Sequence, residues 1–321
     1  MGHPKVTLAH LPTPLEPMDR LGEALGFDAG CLWVKRDDCT GLAGGGNKAR
    51  KLEYLCADAI AQGCDMLVTG GGRQSNHVRM TAAAANRLGL ACTVVLSSEP
   101  PSHPTGNVVL DHVLAPDMVW AGRLDYYGTE AAIEATCDRL TADGRRPYRM
   151  PVGGASTVGA LGYVEAADEL VAQLPGLDLV VVADGSGGTH AGLVAGLGHH
   201  GKVLGVDVGT RPDLDEQVPA KAAATAALAG RPEPVGECVV DHDNFGPDYG
   251  VPTDDCRRAL DLAARLEGLI LDPVYSGKAM AGLIAARRDG RIGPNRTVVF
   301  VHTGGMPALF AAAYADWVKT V

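Results

Sequence analysis

Six short runs of β-branched and aliphatic residues recur along the chain, Cys31–Lys35, Met66–Thr69, Cys92–Leu96, Leu179–Ala183, Val203–Asp207 and Thr297–His302, each followed by a loop and a helical pattern. Uninterrupted apolar runs of this length suit strands buried on both faces, and such strands belong to parallel sheets covered by helices. The alternation therefore predicts an α/β fold with mainly parallel sheets. Ligands in these folds collect outside the carboxyl ends of the strands, so the loops there are where chemistry is expected. Four loops are rich in glycine: Gly44-Gly45-Gly46, Gly70-Gly71-Gly72, Gly185-Ser186-Gly187-Gly188 and Gly304-Gly305.

A chain of 321 residues exceeds what one core usually organises, which favours two domains, with a break expected near Pro151. An apolar fraction of 46% with 21% charged residues is that of a folded globular protein. The balance of 28 basic against 38 acidic residues gives a net charge of −10 with no basic stripe, so neither nucleic acid nor an anionic membrane is an expected partner. The eight cysteines form no C-x-x-C pair, which argues against a metal site and for reduced thiols in the cytoplasm. No apolar stretch approaches the ~18 residues of a membrane span, and Met1-Gly2-His3-Pro4 does not open a secretory signal. A small-molecule partner and a cytoplasmic location are expected.

The segment Gly44-Gly45-Gly46-Asn47-Lys48 opens a helix with an apolar stripe of Leu52, Leu55, Cys56, Ala59 and Ile60. At roughly 100° per residue Lys48 projects into that stripe, Arg50 points away and Lys51 lies at its margin. Burial and the positive helix end both disfavour an ammonium there, so the Lys48 pKa should fall, as suits a Schiff-base lysine. The alternative is a lysine that snorkels at a domain edge. Downstream, Leu179–Ala183 runs into Asp184-Gly185-Ser186-Gly187-Gly188-Thr189 and a small-residue helix. A strand, a glycine turn with two hydroxyls and a helix start make a phosphate cradle. A dinucleotide fold competes, because Asp207 ends the next strand about 20 residues later, where a ribose-binding acid would sit. The G-x-G-x-x-G pattern is broken by His190, however, and no Walker lysine follows. A third loop, Gly71-Gly72-Arg73-Gln74-Ser75-Asn76-His77, also opens a helix and could receive a carboxylate; an N-cap by Ser75 or Asn76 would explain one of its polar residues.

One lysine for an aldehyde, one phosphate cradle and one carboxylate loop suit pyridoxal 5′-phosphate. The sequence resembles the tryptophan-synthase-β-like (fold type II) pyridoxal-phosphate enzymes, and within them the D-cysteine desulfhydrase and 1-aminocyclopropane-1-carboxylate deaminase group. The residues that carry the match are Lys35-Arg36-Asp37-Asp38, Gly45 to Glu53, Gln74-Ser75-Asn76-His77, Gly187-Gly188-Thr189, Gly246-Pro247-Asp248-Tyr249-Gly250, Asp272-Pro273-Val274-Tyr275 and His302-Thr303-Gly304-Gly305.

The resemblance implies two three-layer α/β/α domains, a small one of residues 49–151 inserted into a large one of 1–48 plus 152–321, and a homodimer. It implies that Lys48 carries the cofactor, that Asn76 bonds its phenolic oxygen, and that Ser186, Gly187, Gly188 and Thr189 hold its phosphate. Ser75, Asn76 and His77 would receive the substrate carboxylate, with Ser75, Tyr249 and Tyr275 near the reacting carbons. Ser276 and Thr303 stand where the deaminase branch carries Glu and Leu around the pyridine nitrogen, which implies α,β-elimination from a small β-substituted amino acid such as D-cysteine, giving pyruvate, ammonia and hydrogen sulfide. Arg73 departs from the group's pattern; facing the pocket, it would favour an anionic substrate such as cysteate. Cyclopropane deamination is the other alternative of the same chemistry, and a NAD-binding Rossmann oxidoreductase the alternative of another class.

Overall fold

The computed structural model describes residues 3–318. In chain order its strands are β1 (Leu15–Pro17), β2 (Leu32–Lys35), β3 (Met66–Gly71), β4 (Ala91–Leu96), β5 (Asp117–Trp120), β6 (Pro147–Arg149), β7 (Leu179–Asp184), β8 (Val203–Asp207), β9 (Val239–Asp241) and β10 (Val298–Val301). The principal helices are α1 (Asp19–Leu25), α2 (Lys48–Ala61), α3 (Asn76–Leu88), α4 (Asn107–Leu114), α5 (Tyr126–Ala142), α6 (Thr157–Gln173), α7 (Gly188–Leu197), α8 (Leu214–Leu228), α9 (Asp254–Glu267) and α10 (Ser276–Arg288).

The strands form two sheets, of order β1-β2-β10-β7-β8-β9 and β5-β4-β3-β6. All pairings are parallel except β1 with β2. The six runs expected from sequence are the interior strands β2, β3, β4, β7, β8 and β10. The sequence reading missed β1, β5, β6 and β9, which are the four sheet edges. Each has only three or four residues and carries a proline or an acid, Pro17, Asp117, Pro147 or Asp241, so none shows an apolar run.

Helices cover both faces of each sheet. In β7, Val181 and Ala183 pack with Leu260, Ala263, Met280 and Leu283 of α9 and α10, whereas Val180 and Val182 pack with Tyr163, Leu193 and Val218 of α6, α7 and α8. In the four-stranded sheet, Leu67, Val94 and Leu96 meet Leu52 and Leu55 of α2 and Val78 of α3, and Met66, Val68 and Val95 meet Ile133 and Cys137 of α5. Each fully buried aliphatic side chain contributes about 1.5–3 kcal/mol. That double burial is why the strands read as continuous apolar runs although their side chains alternate between layers. Among the described residues, no helix is long and apolar enough to cross a membrane.

The expected orientation of α2 needs correcting. Arg50 and Lys51 are as fully buried as Leu52, Leu55, Cys56 and Ala59, whereas Ile60, expected in the same stripe, is exposed near the end of the helix; α2 is wedged between α6 and the four-stranded sheet and has no solvent face at its first turn. The Arg50 charge is met from the neighbouring layers by Asp37 and Glu169, whereas Lys51 Nζ finds, among the described residues, only the Gly153 carbonyl, at 3.2 Å.

Candidate active site

A cavity of about 880 Å³ opens at the carboxyl ends of strands from both sheets. It is lined by the loops after β3, β4, β5, β7 and β8, by Thr303 after β10 and by Lys48. This is the position that α/β topology assigns to ligands.

Lys48 is the first residue of α2 and reaches the cavity through its glycine-rich approach. The approach rests on the loop after β10: Asn47 N–H donates to the Thr303 carbonyl at 3.0 Å. A Cβ on Gly304 would lie 2.8 Å from the Gly46 Cα, so only glycine lets the two loops meet. Asn47 Nδ2 donates to Thr189 Oγ1 at 3.0 Å, which ties the start of α2 to the cradle loop. Burial lowers the Lys48 pKa to about 8, partly opposed by the charge of Asp184. A tenth or so of the amine is then neutral one unit below that value, ready to attack an aldehyde.

The loop from Asp184 to Thr189 turns β7 into α7, with Gly187 as a left-handed N-cap. Free amides of the first turn and the positive helix end thus face the cavity, which Gly185, Ser186, Gly187 and Thr189 line. Gly188 does not line it. A Cβ there would lie 2.9 Å from both the Ala155 Cα and Lys51 Nζ, so Gly188 is required for packing behind the cradle. Lys51 therefore stands under the cradle; burial, then repulsion from Lys48, pushes its pKa well below the ordinary lysine value. An incoming dianion would restore its charge. Asp184 also lines the cavity, and its Oδ2 bonds His190 Nδ1 at 2.7 Å.

Across the cavity, Ser75 caps α3, accepting from Val78 N–H at 3.3 Å, so the capping expectation holds for this residue. Asn76 and His77 are the first helical residues and both line the cavity. Neither ring nitrogen of the buried His77 has a hydrogen-bond partner. Burial, with Lys48 and Lys51 nearby, pushes its pKa well below the usual value and keeps the ring neutral. Arg73 is solvent-exposed and lines the mouth.

Tyr249 and Tyr275 face each other with ring centroids 5.9 Å apart and a hydroxyl–hydroxyl hydrogen bond. Burial pushes Tyr249 up to about 12 and Tyr275 well above the ordinary tyrosine value, so both are protonated at neutral pH. Thr303 faces the cavity, but Ser276 does not line it. The Ser276 hydroxyl donates to Asp272 Oδ1 at 2.6 Å and accepts from Asp272 N–H at 2.8 Å, locking the loop that carries Tyr275. The expected hydroxyl pair is thus split between a cavity wall and its support.

Asp207, the acid a dinucleotide site would use, has both oxygens engaged, with Gly209 N–H at 2.7 Å and His242 Nδ1 at 3.0 Å. Three residues in or behind the cavity wall escaped the sequence reading: Asp184, which lines it, and Lys51 and Asn107, which stand behind it. Lys51 had a signal, since it follows Lys48 at the i, i+3 spacing of one helix face. Asp184 closes an apolar strand and reads as a turn residue. Asn107 arrives from a distant helix start and has no local signature.

The cavity suits pyridoxal 5′-phosphate in its chemistry: Lys48 offers a lowered-pKa amine for an aldehyde, and the helix start at Gly187 offers amides for a phosphate. Comparison with known proteins agrees. Residues 6–304 match the family model described as pyridoxal-phosphate dependent enzyme. A D-cysteine desulfhydrase of Salmonella typhi is 43% identical over 327 aligned residues, covering 96% of each chain. A crystal structure described as an ACC deaminase homologue superposes with a TM-score of 0.90 at 35% identity, covering 99% of this chain and 96% of the other. A threonine deaminase from Solanum lycopersicum shares the fold, with a TM-score of 0.69 at 18% identity, covering 97% of this chain and 83% of the other. The fold is that of the type II group, the dinucleotide alternative falls away, and the chain belongs to the pyridoxal-phosphate dependent enzymes.

Proposed function

We propose that this enzyme eliminates the β-substituent of a small amino acid, with D-cysteine as substrate and pyruvate, ammonia and hydrogen sulfide as products. The observation that carries this reading is the 43% identity to a D-cysteine desulfhydrase along nearly the whole chain, in a cavity whose wall offers the Thr303 hydroxyl where the deaminase branch carries leucine.

In this reading the bound cofactor supplies an electron sink for the pair left on the substrate α-carbon. The rest is done by the chain. The amides of Gly187 and Thr189, the Ser186 hydroxyl and the Lys51 ammonium would hold the phosphate, while Asn76 would donate to the phenolic oxygen. The helix end at Ser75, Asn76 and His77 receives the substrate carboxylate. Lys48 would take the α-proton at Nζ, for which an amine of pKa about 8 is well placed near neutrality. The protonated hydroxyls of Tyr249 and Tyr275 can pass one proton to the departing sulfur. With one water, D-cysteine then yields the three products in balance.

The division into residues 1–48 plus 152–321 and residues 49–151 belongs to the same proposal. It is supported by the four-stranded sheet being drawn wholly from residues 66–149, between β2 and β7 of the other. A homodimer, supported by the resemblance, and a cytoplasmic location, supported by eight cysteines that are all free thiols, belong to it too.

Arg73 at the mouth favours a second reading, an anionic β-substituent such as the sulfonate of cysteate. A steady-state comparison of D-cysteine, L-cysteine, cysteate and 1-aminocyclopropane-1-carboxylate tests both. The highest kcat/KM is expected for D-cysteine; a preference for cysteate abolished by Arg73→Ala would establish the second reading instead.

A further inference from the structure

The orientation of the Asn76 amide is imposed from behind. Its Oδ1 accepts from Arg79 Nη1 at 2.9 Å and from Asn107 Nδ2 at 3.1 Å. A guanidinium only donates, so the Asn76 atom facing Arg79 must be the oxygen. With that oxygen satisfied twice, the Nδ2 donor is what Asn76 has left to offer the cavity that it lines.

Arg79 is itself fully buried and fixed at three points. Besides Asn76, its Nη1 donates to Asn107 Oδ1 at 2.6 Å and its Nη2 to the Gly45 carbonyl at 3.0 Å. Asn107 is held in turn by Gln74, through Asn107 N–H to Gln74 Oε1 at 2.8 Å and Asn107 Nδ2 to the Gln74 carbonyl at 2.9 Å. The network joins the loop before α3, the start of α4 and the glycine approach to Lys48.

Its charge is left partly uncompensated. Burial lowers the Arg79 pKa to about 10, so it remains a cation at neutral pH. The buried Asp111 and Asp272 act on it through space, yet neither Asp111 oxygen nor Arg79 Nε has a hydrogen-bond partner. Such a cation is costly where it stands, and of its three hydrogen-bond partners Asn76 is the one that lines the cavity.

We propose that Arg79 is a positioning residue, which clamps and polarises Asn76 so that its Nδ2 presents a fixed donor to an anionic oxygen on the cofactor ring. This rests on the reading of the site as one that orients pyridoxal phosphate through Asn76. Arg79 touches neither cofactor nor substrate in this scheme and acts only through Asn76.

A double-mutant cycle on cofactor affinity tests it. Cofactor-free wild type, Asn76→Ala, Arg79→Met and the double variant are titrated with pyridoxal 5′-phosphate, and Kd is read from the visible absorbance. Asn76→Ala is expected to weaken binding roughly tenfold, the worth of one hydrogen bond to a charged acceptor. Arg79→Met should weaken it by about threefold or more in the wild-type background, on the same scale, and have no further effect once Asn76 is alanine. Additive losses would overturn the proposal and leave Arg79 a purely structural role. Should Arg79→Met not fold, Asn107→Ala, which removes the second donor to Asn76 Oδ1, runs the same cycle under the same criterion. A wild type that binds no cofactor would instead refute the reading of the site itself.

Discussion

Arg50 donates through Nε and Nη2 to the two carboxylate oxygens of Asp37, at 3.0 and 2.9 Å, and neither side chain is exposed to solvent. Thr13, Tyr163 and Glu169 complete the group. The pair lies two residues beyond Lys48 and joins the first turn of α2 to the end of β2, so it fixes the direction from which the Lys48 side chain enters the cavity.

Breaking the Asp37–Arg50 pair should therefore be costly. Arg50→Met, which leaves Asp37 buried and unpaired, is expected to lower the unfolding free energy by about 3–5 kcal/mol in denaturant titrations. The pH dependence has a definite sign. Burial works to raise the Asp37 pKa, but the Arg50 charge and the bonds from Arg50, Tyr163 and Thr13 outweigh it and hold the carboxyl below its ordinary value. Its contribution is present above the unfolded-state pKa and is lost as the pH falls through the lower folded value. A loss of under about 1 kcal/mol on Arg50→Met would show that the pair is not the anchor described.

In cofactor-free protein, Lys48 should react with amine reagents as a group of pKa about 8, because burial outweighs the attraction of Asp184. Site-resolved labelling against pH reads the midpoint directly. Asp184→Asn removes the opposing charge and should move the midpoint lower still. A midpoint at the ordinary lysine value would mean that Lys48 is solvated and the cavity more open than described.

Gly188→Val drives its side chain into Ala155 and Lys51 Nζ, and should lower thermal stability together with cofactor content. Ser186→Ala is the cleaner test, since Ser186 faces the cavity. It should retain the wild-type melting temperature without cofactor and bind the cofactor several-fold more weakly, as loss of one hydrogen bond to a charged group implies. Unchanged affinity would remove the Ser186 hydroxyl from the cradle.

Ser276 is expected to matter for stability before it matters for specificity. Ser276→Ala leaves the buried Asp272 carboxylate and N–H short of partners and should cost about 1–3 kcal/mol. Ser276→Glu would set a second carboxylate against Asp272 and disturb the Tyr275 loop, so it should depress elimination without conferring ring opening. Efficient release of 2-oxobutanoate from the cyclopropane amino acid by Ser276→Glu with Thr303→Leu would contradict this account.

The interior strands and the strand-end loops were legible in the sequence because doubly buried strands leave unbroken apolar runs and turns at strand ends demand glycine. The sheet edges were not, since β6 is Pro147-Tyr148-Arg149 and gains its place only from β3 beside it. Within the site, Lys48, the cradle and the Ser75–His77 helix start were readable from local pattern. The burial of Arg50 and Lys51 was not, because periodicity describes one buried face and α2 has more than one. Arg79 and Asn107 lay beyond reach for another reason: their roles depend on a contact spanning 28 positions in sequence.

The central claim is that Lys48 is the residue that carries the cofactor, although Lys35, Lys51 and Lys278 are also buried. Borohydride reduction of the loaded protein fixes the cofactor to its amine, and peptide mapping then locates the modified residue. The account predicts a pyridoxyl group on Lys48 alone and loss of the visible cofactor absorbance in Lys48→Ala. A label on Lys51, or a Lys48→Ala protein that keeps its absorbance and its labelling, would contradict it.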